Sequence, residues 1–207
     1  MLIYNPKSGN TEPIDDEDTY TKDIYRKYIR NSEPGENEWI IVNKLLKLSE
    51  EHNYDTNLIK IISVGEDKNG RYYNTKVINT YFNIIKKSKE ETRISFLEQL
   101  PKLNKTRRYL QNNGIAYIDW KLDNIGLSSD EEILLFDFDS SGIFTPPNPV
   151  KNIRGEWIIT PVNSNNYKYV RTIFAKYSCD NYPQNLDTFL FRNMLFNVNN
   201  QQTDLPN

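Results

Sequence analysis

Residues 110–139 read "LQNNGIAYIDWKLDNIGLSSDEEILLFDFD". Gly114 is a fitting stop for the helical run before it. The apolar runs "IAYID" and "EILLFDFD" read as short strands around the turn "LSSDEE". Polar side chains interrupt the apolar pattern at fixed places. Asp119, Lys121 and Asn124 stand at offsets of two and five, and Asp137 follows thirteen residues after Asn124. Two readings are open. Asp119 and Asn124 cap a turn while Asp137 ends a strand, or the four side chains converge on one site that holds a phosphoryl group, a metal and a hydroxyl.

Composition narrows the chemistry. The chain has 207 residues, enough for one domain or two small lobes with a core. Only 37% of residues are hydrophobic, and no stretch is long enough to span a bilayer. The opening "MLIYNPKSGN" has neither a basic region nor an apolar core, so no secretory signal is expected. A net charge of −2 with interspersed signs offers no field for nucleic acid and no polybasic membrane anchor. The single cysteine, Cys179, excludes an internal disulfide framework and suits a reducing compartment. The single histidine, His52, follows Glu50 and Glu51 in a polar stretch and reads as a surface residue. With one histidine and one cysteine, hydrolytic triads and zinc clusters are not expected. Chemistry must then run on carboxylates, lysines and amides.

The rest of the pattern is α+β. A polar loop covers 5–19, after a possible short strand at "LIY". Residues 19–30, "TYTKDIYRKYIR", alternate as a strand does. Residues 37–51 carry apolar positions 41, 42, 45, 46 and 48, which predicts a helix with Asn37 as N-cap and Glu38 in its first turn. Residues 57–67 and 71–82 flank "KNG" as a β-hairpin. Helices follow from residue 83, broken near Pro101. Prolines at 146, 147 and 149 make 145–152 irregular. A last helix is expected over 184–196, with a frayed polar tail. No internal repeat is found. Strand, helix, hairpin, then mainly helices give two unequal lobes, 1–80 and 81–207.

The stretch 110–139 resembles the protein-kinase-like superfamily, whose catalytic loop has the form H-R-D-x-K-x-x-N and is followed by a strand ending in D-F-G. Tyr117-Ile118-Asp119 stands where H-R-D is expected, with Lys121 and Asn124 at the matching offsets, and Asp137 opens "DFD". The resemblance extends over roughly residues 19–196. It implies a minimal two-lobed kinase-like fold, with an antiparallel sheet and one helix in the small lobe and a truncated helical larger lobe. The run "YIDWK…DNIG…LFDFD…SG" is similar to small compact kinase-like proteins of large DNA viruses, which implies host cytoplasm or virion as location.

By that resemblance Asp119 receives the proton of the acceptor hydroxyl and Lys121 balances charge on the transferred group. Asn124 and Asp137 hold Mg²⁺. Lys27, in "IYRKYI", touches the phosphates of ATP, with Glu38 as its ion-pair partner. Arg26 or Lys22 is the alternative to Lys27, and Glu36 the alternative to Glu38. Lys27 as an exposed strand charge and Glu38 as a helix-dipole acid are the ordinary readings. Asn79-Thr80 falls where the connection between lobes passes the adenine. Asp187 looks like the helix acid that holds the catalytic loop, or is a simple acid at a helix start.

The chain also departs from the family. No G-x-G-x-x-G precedes Lys27; only Gly9 lies at a suitable distance. Ile118 removes the Arg that binds a phosphorylated activation loop. Asp139 replaces the glycine of D-F-G, an acidic residue also found in kinases of small metabolites, whereas Lys121 points away from them. In 155–162, "GEWIITPV", Pro161 matches the A-P-E motif and Val162 replaces its Glu. The expectation is an ATP- and Mg²⁺-dependent phosphotransferase acting on Ser/Thr of a protein substrate. The alternatives are a pseudokinase scaffold that binds a protein partner and, less favoured, a small-molecule kinase.

Overall fold

The computed structural model describes residues 2–5, 10–13, 23–51, 54–139, 141–143 and 183–203. His52, Cys179, Gly9, Lys22, 145–152 and 155–162 lie outside these.

The first part of the chain is a five-stranded sheet with one helix. β1 (Leu2–Asn5), β2 (Asn10–Pro13), β3 (Ile24–Tyr28), β4 (Ile61–Asp67) and β5 (Gly70–Lys76) are ordered β2-β1-β3-β5-β4. The pairs are antiparallel except β1 with β3, which run parallel, so the sheet is mixed rather than wholly antiparallel as expected. The β4–β5 hairpin turns through Lys68 and Asn69, and Asp67 Oδ1 accepts from Asn69 N at 2.8 Å.

α1 (Glu33–Glu50) starts four residues earlier than the pattern predicts. Ser32, not Asn37, is its N-cap, and its hydroxyl accepts from Gly35 N at 3.4 Å. A cap hydroxyl followed by Pro34 at the helix start outweighs the later Asn. Glu38 therefore lies beyond the first turn, and the dipole reading does not hold for it. Ile41, Val42 and Leu45 are fully buried in the core, as their spacing predicts.

Gly35 is required by a close approach. A Cβ there would lie 1.8 Å from the Arg30 carbonyl oxygen, where the chain entering α1 crosses over it. Since that neighbour is backbone, Gly35→Ala is expected to cost about 1–3 kcal/mol as an overpacking change, or more. A urea-midpoint measurement checks this; an unchanged midpoint contradicts the crossing.

The remainder is mainly helical. β6 (Asn79–Thr80) leads into α2 (Tyr81–Lys87) and α3 (Glu90–Gln99), then a 3₁₀ turn over Leu100–Lys102 and α4 (Leu103–Asn112). The predicted strand 71–82 is thus two, since β6 leaves the first sheet. Gly114, with φ 71°, stops α4 in the left-handed region that only glycine enters cheaply. β7 (Ile115–Ala116) follows, then a 3₁₀ turn over Leu122–Asn124, β8 (Ile125–Leu127), β9 (Ile133–Leu135), β10 (Gly142–Ile143) and α5 (Pro183–Thr203). The turn "LSSDEE" joins β8 to β9, whereas the expected strand "IAYID" shrinks to β7 and pairs with β10. The tail predicted to fray continues α5 to Thr203, with Val198 buried.

Backbone pairing helps tie the parts together. β6 pairs antiparallel with β8, and Ile59 N donates to Leu135 O at 2.9 Å. The architecture is α+β, compatible with a small two-lobed arrangement. Among the described residues no helix is long and apolar enough to cross a membrane.

Candidate functional site

Strand register sets the site. Lys27 on β3 pairs directly with Tyr73 on β5, so both side chains leave the sheet on one face, toward α1. Glu38 looks back from α1 and is only 3% exposed. Lys27 Nζ donates to Glu38 Oε1 at 2.6 Å and to Asp137 Oδ1 at 3.0 Å. Of the competing pairs, Glu36 instead joins Arg71 at 2.7 Å, and Arg26 joins Asn74 and Asp67 on the other face of the sheet. Neither ordinary reading holds, for Lys27 or for Glu38.

Burial opposes the charge of Lys27, but Glu38, Tyr73 and Asp137 around it hold its ammonium well above the usual lysine range. Burial pushes Glu38 up against the pull of Lys27. Burial also works to raise Asp137, yet the charge and hydrogen bond of Lys27 keep it below the usual carboxylate range. Asp137 has φ 65°, an uncommon left-handed conformation for a residue with a Cβ.

A cavity of about 480 Å³ opens over this triad. Lys27, Glu38, Tyr73, Asp137 and Asp139 supply its polar wall, while Ile59, Val77, Ile78 and Phe136 supply an apolar one. Thr80 of β6 and Asn83 of α2 also line it.

Asp119, Lys121 and Asn124 form a second cluster and do not line that cavity. Lys121 Nζ lies 2.7 Å from Asp119 Oδ2, and Asn124 Nδ2 donates to the same oxygen at 2.9 Å and to the Asp119 carbonyl at 3.1 Å. Burial works against the Lys121 charge, but the hydrogen bond and charge of Asp119 raise it above the usual value. The backbone joins the clusters: Phe136 N donates to Asn124 O at 3.0 Å, which sets Asn124 beside the residue preceding Asp137. Lys121 also acts electrostatically on Asp137, so the two clusters share one field.

Among the described residues no group of three or more His, Cys, Asp or Glu is placed to hold a metal ion. The donor set at hand is smaller, an amide oxygen on Asn124 and a carboxylate on Asp137, on two segments that the Phe136–Asn124 backbone bond joins. Such hard oxygens fit Mg²⁺, which takes one or two protein carboxylates and completes its shell with water and phosphate oxygens.

The loop 117–120 is anchored from below. Asp187 on α5, fully buried, accepts from Trp120 Nε1 at 2.6 Å, Gln111 Nε2 at 3.0 Å and Tyr117 N at 3.4 Å. Tyr117 OH donates to Phe136 O at 2.7 Å and so spans the two segments that carry Asp119 and Asp137.

Two participants are not legible in the sequence. Tyr73, whose hydroxyl reaches Glu38, is hidden because the hairpin signal does not fix which residue faces Lys27. The indole of Trp120 looks like ordinary core until α5 places Asp187 against it. Comparison with protein-family models and with curated proteins finds no match.

Proposed function

We propose that the protein is an ATP- and Mg²⁺-dependent phosphotransferase of the protein-kinase-like type, passing a phosphoryl group to a hydroxyl, most directly Ser or Thr of a protein. The observation that carries this reading is Lys27, bridging Glu38 and Asp137 at the wall of the cavity while a backbone bond ties Asn124 to Phe136, the residue before Asp137.

In this reading the apolar wall takes the base and Lys27 takes the phosphates. Asn124 and Asp137 hold Mg²⁺, which when bound neutralises charge on the phosphate oxygens. Lys121 and Asn124 both engage Asp119 Oδ2, and among the described residues neither claims Oδ1. That oxygen is left to accept the proton of the incoming hydroxyl, while Lys121 offsets charge nearby. Protein around the site then supplies position and electrostatics, which is most of what phosphoryl transfer asks of it.

The glycine-poor N-terminus favours a second reading, a nucleotide-binding scaffold without turnover. One experiment separates them. With Mg²⁺, labelled ATP and generic protein substrates, the wild type is expected to transfer label, and Asp119→Asn and Asp137→Asn to lose at least about 100-fold in rate. Thermal stabilisation by Mg-ATP without transfer supports the scaffold. The absence of both transfer and stabilisation overturns nucleotide use.

A further inference from the structure

Tyr73 hydrogen-bonds Glu38 of the Lys27–Glu38 pair, and the proposed chemistry leaves it without a role. We propose that Tyr73 is a positioning residue: its hydroxyl pins Glu38, and through Glu38 it sets where Lys27 presents its ammonium to a nucleotide phosphate. The inference rests on the reading of the cavity as a nucleotide site.

The geometry is specific. Tyr73 OH donates to Glu38 Oε1 at 3.0 Å, the same oxygen that Lys27 Nζ reaches at 2.6 Å. Tyr73 is 4% exposed, and its ring stands 6.0 Å from the Lys27 nitrogen as its direct cross-strand neighbour. A buried phenol has few rotamers, so its hydroxyl is a fixed donor. Lys27 has two carboxylates to choose between, Glu38 on α1 and Asp137 after β9. With Glu38 held by a second donor, the lysine keeps a fixed partner on the helix side. Without it, Glu38 is free to turn, and Lys27 shifts its weight to Asp137 and occupies a carboxylate proposed to hold metal. The charged and titratable groups acting on Glu38 are Lys27 from β3, Tyr73 from β5, and Asp137 and Asp139 from the segment after β9.

Tyr73→Phe keeps the ring and removes the one hydrogen bond. Calorimetric titration with Mg-ATP and, separately, with adenosine tests the role, because adenosine has no phosphate for Lys27 to meet. The expected result is about tenfold weaker Mg-ATP binding, the usual effect of losing a hydrogen bond to a charged group, with adenosine affinity unchanged. A merely structural role lowers both affinities together, and that result overturns the inference. Unchanged affinity for Mg-ATP overturns it as well. If the wild type binds neither ligand, the nucleotide reading fails first and takes this inference with it; if only Tyr73→Phe behaves like the wild type, the inference fails alone.

Discussion

Lys27→Met is expected to destabilise the protein by about 3–5 kcal/mol, the cost of leaving a buried ion-pair partner uncompensated. Glu38 is the partner that matters, since its side chain is 4% exposed against 30% for Asp137, which water can still reach. Methionine matches the stem of lysine in length, so little of the loss comes from packing. The diagnostic is the double variant Lys27→Met/Glu38→Gln. Glutamine keeps an acceptor for the Tyr73 hydroxyl and carries no charge to strand. The pair together should therefore recover most of what the single change loses. Urea midpoints for the four proteins measure this cycle. Simple additivity of the two substitutions contradicts a buried pair. The same lysine also faces Asp137 in its left-handed conformation, a state that costs about 1–2 kcal/mol for a residue with a Cβ. Mg-ATP binding should be lost in the single variant under the proposed function.

Asp187→Ala has the second large effect, a loss of about 3 kcal/mol or more. Three donors converge on that carboxylate, and the indole of Trp120 and the amide of Tyr117 are buried with it. Removing the acceptor leaves them unpaired beneath the loop that carries Asp119. Activity should fall with stability, since the loop loses its hydrogen bonds to α5 even though the Trp120 ring still packs on Phe191. Burial raises the Asp187 carboxyl to about 7, against the opposing hydrogen bonds of Trp120 and Gln111 and the charge of Arg107. The native state then binds a proton that the unfolded chain has released between pH 3.8 and about 7. The stabilisation tied to this group is complete below the lower value and disappears as pH rises through the upper one. Stability of the wild type should fall over that window relative to Asp187→Asn, whose amide does not titrate. Parallel pH profiles for the two proteins contradict the assignment.

Part of the fold and site was legible locally. Ile41, Val42 and Leu45 recur at helical spacing, and the buried face of α1 follows from that period alone. Asp119, Lys121 and Asn124 lie within six residues, so the turn that carries them decides their mutual geometry. The sequence points to Glu38 as the partner of Lys27 but leaves Glu36 as its alternative, because Glu36 lies two residues away on the same helix. Register and helix phase chose between them, turning Glu38 to Lys27 and Glu36 to Arg71. The helix start was misjudged because Ser32 and Pro34 sit in a stretch rich in turn residues. The last helix was cut short because polarity in "NVNNQQT" hid Val198, which packs in the core.

The sequence by itself determined the α+β class, the main helices, the β4–β5 hairpin, and the spacing that places a carboxylate, an ammonium and an amide in one loop. Those features depend on neighbours along the chain. Only the tertiary structure decided that Lys27 meets Asp137, 110 residues away, that Tyr73 stands behind Glu38, and that Asp187 supports the loop from α5. Such contacts depend on strand register and on which helix faces pack together. Many sequences with the same local preferences are compatible with different registers, and only burial of the whole core selects one.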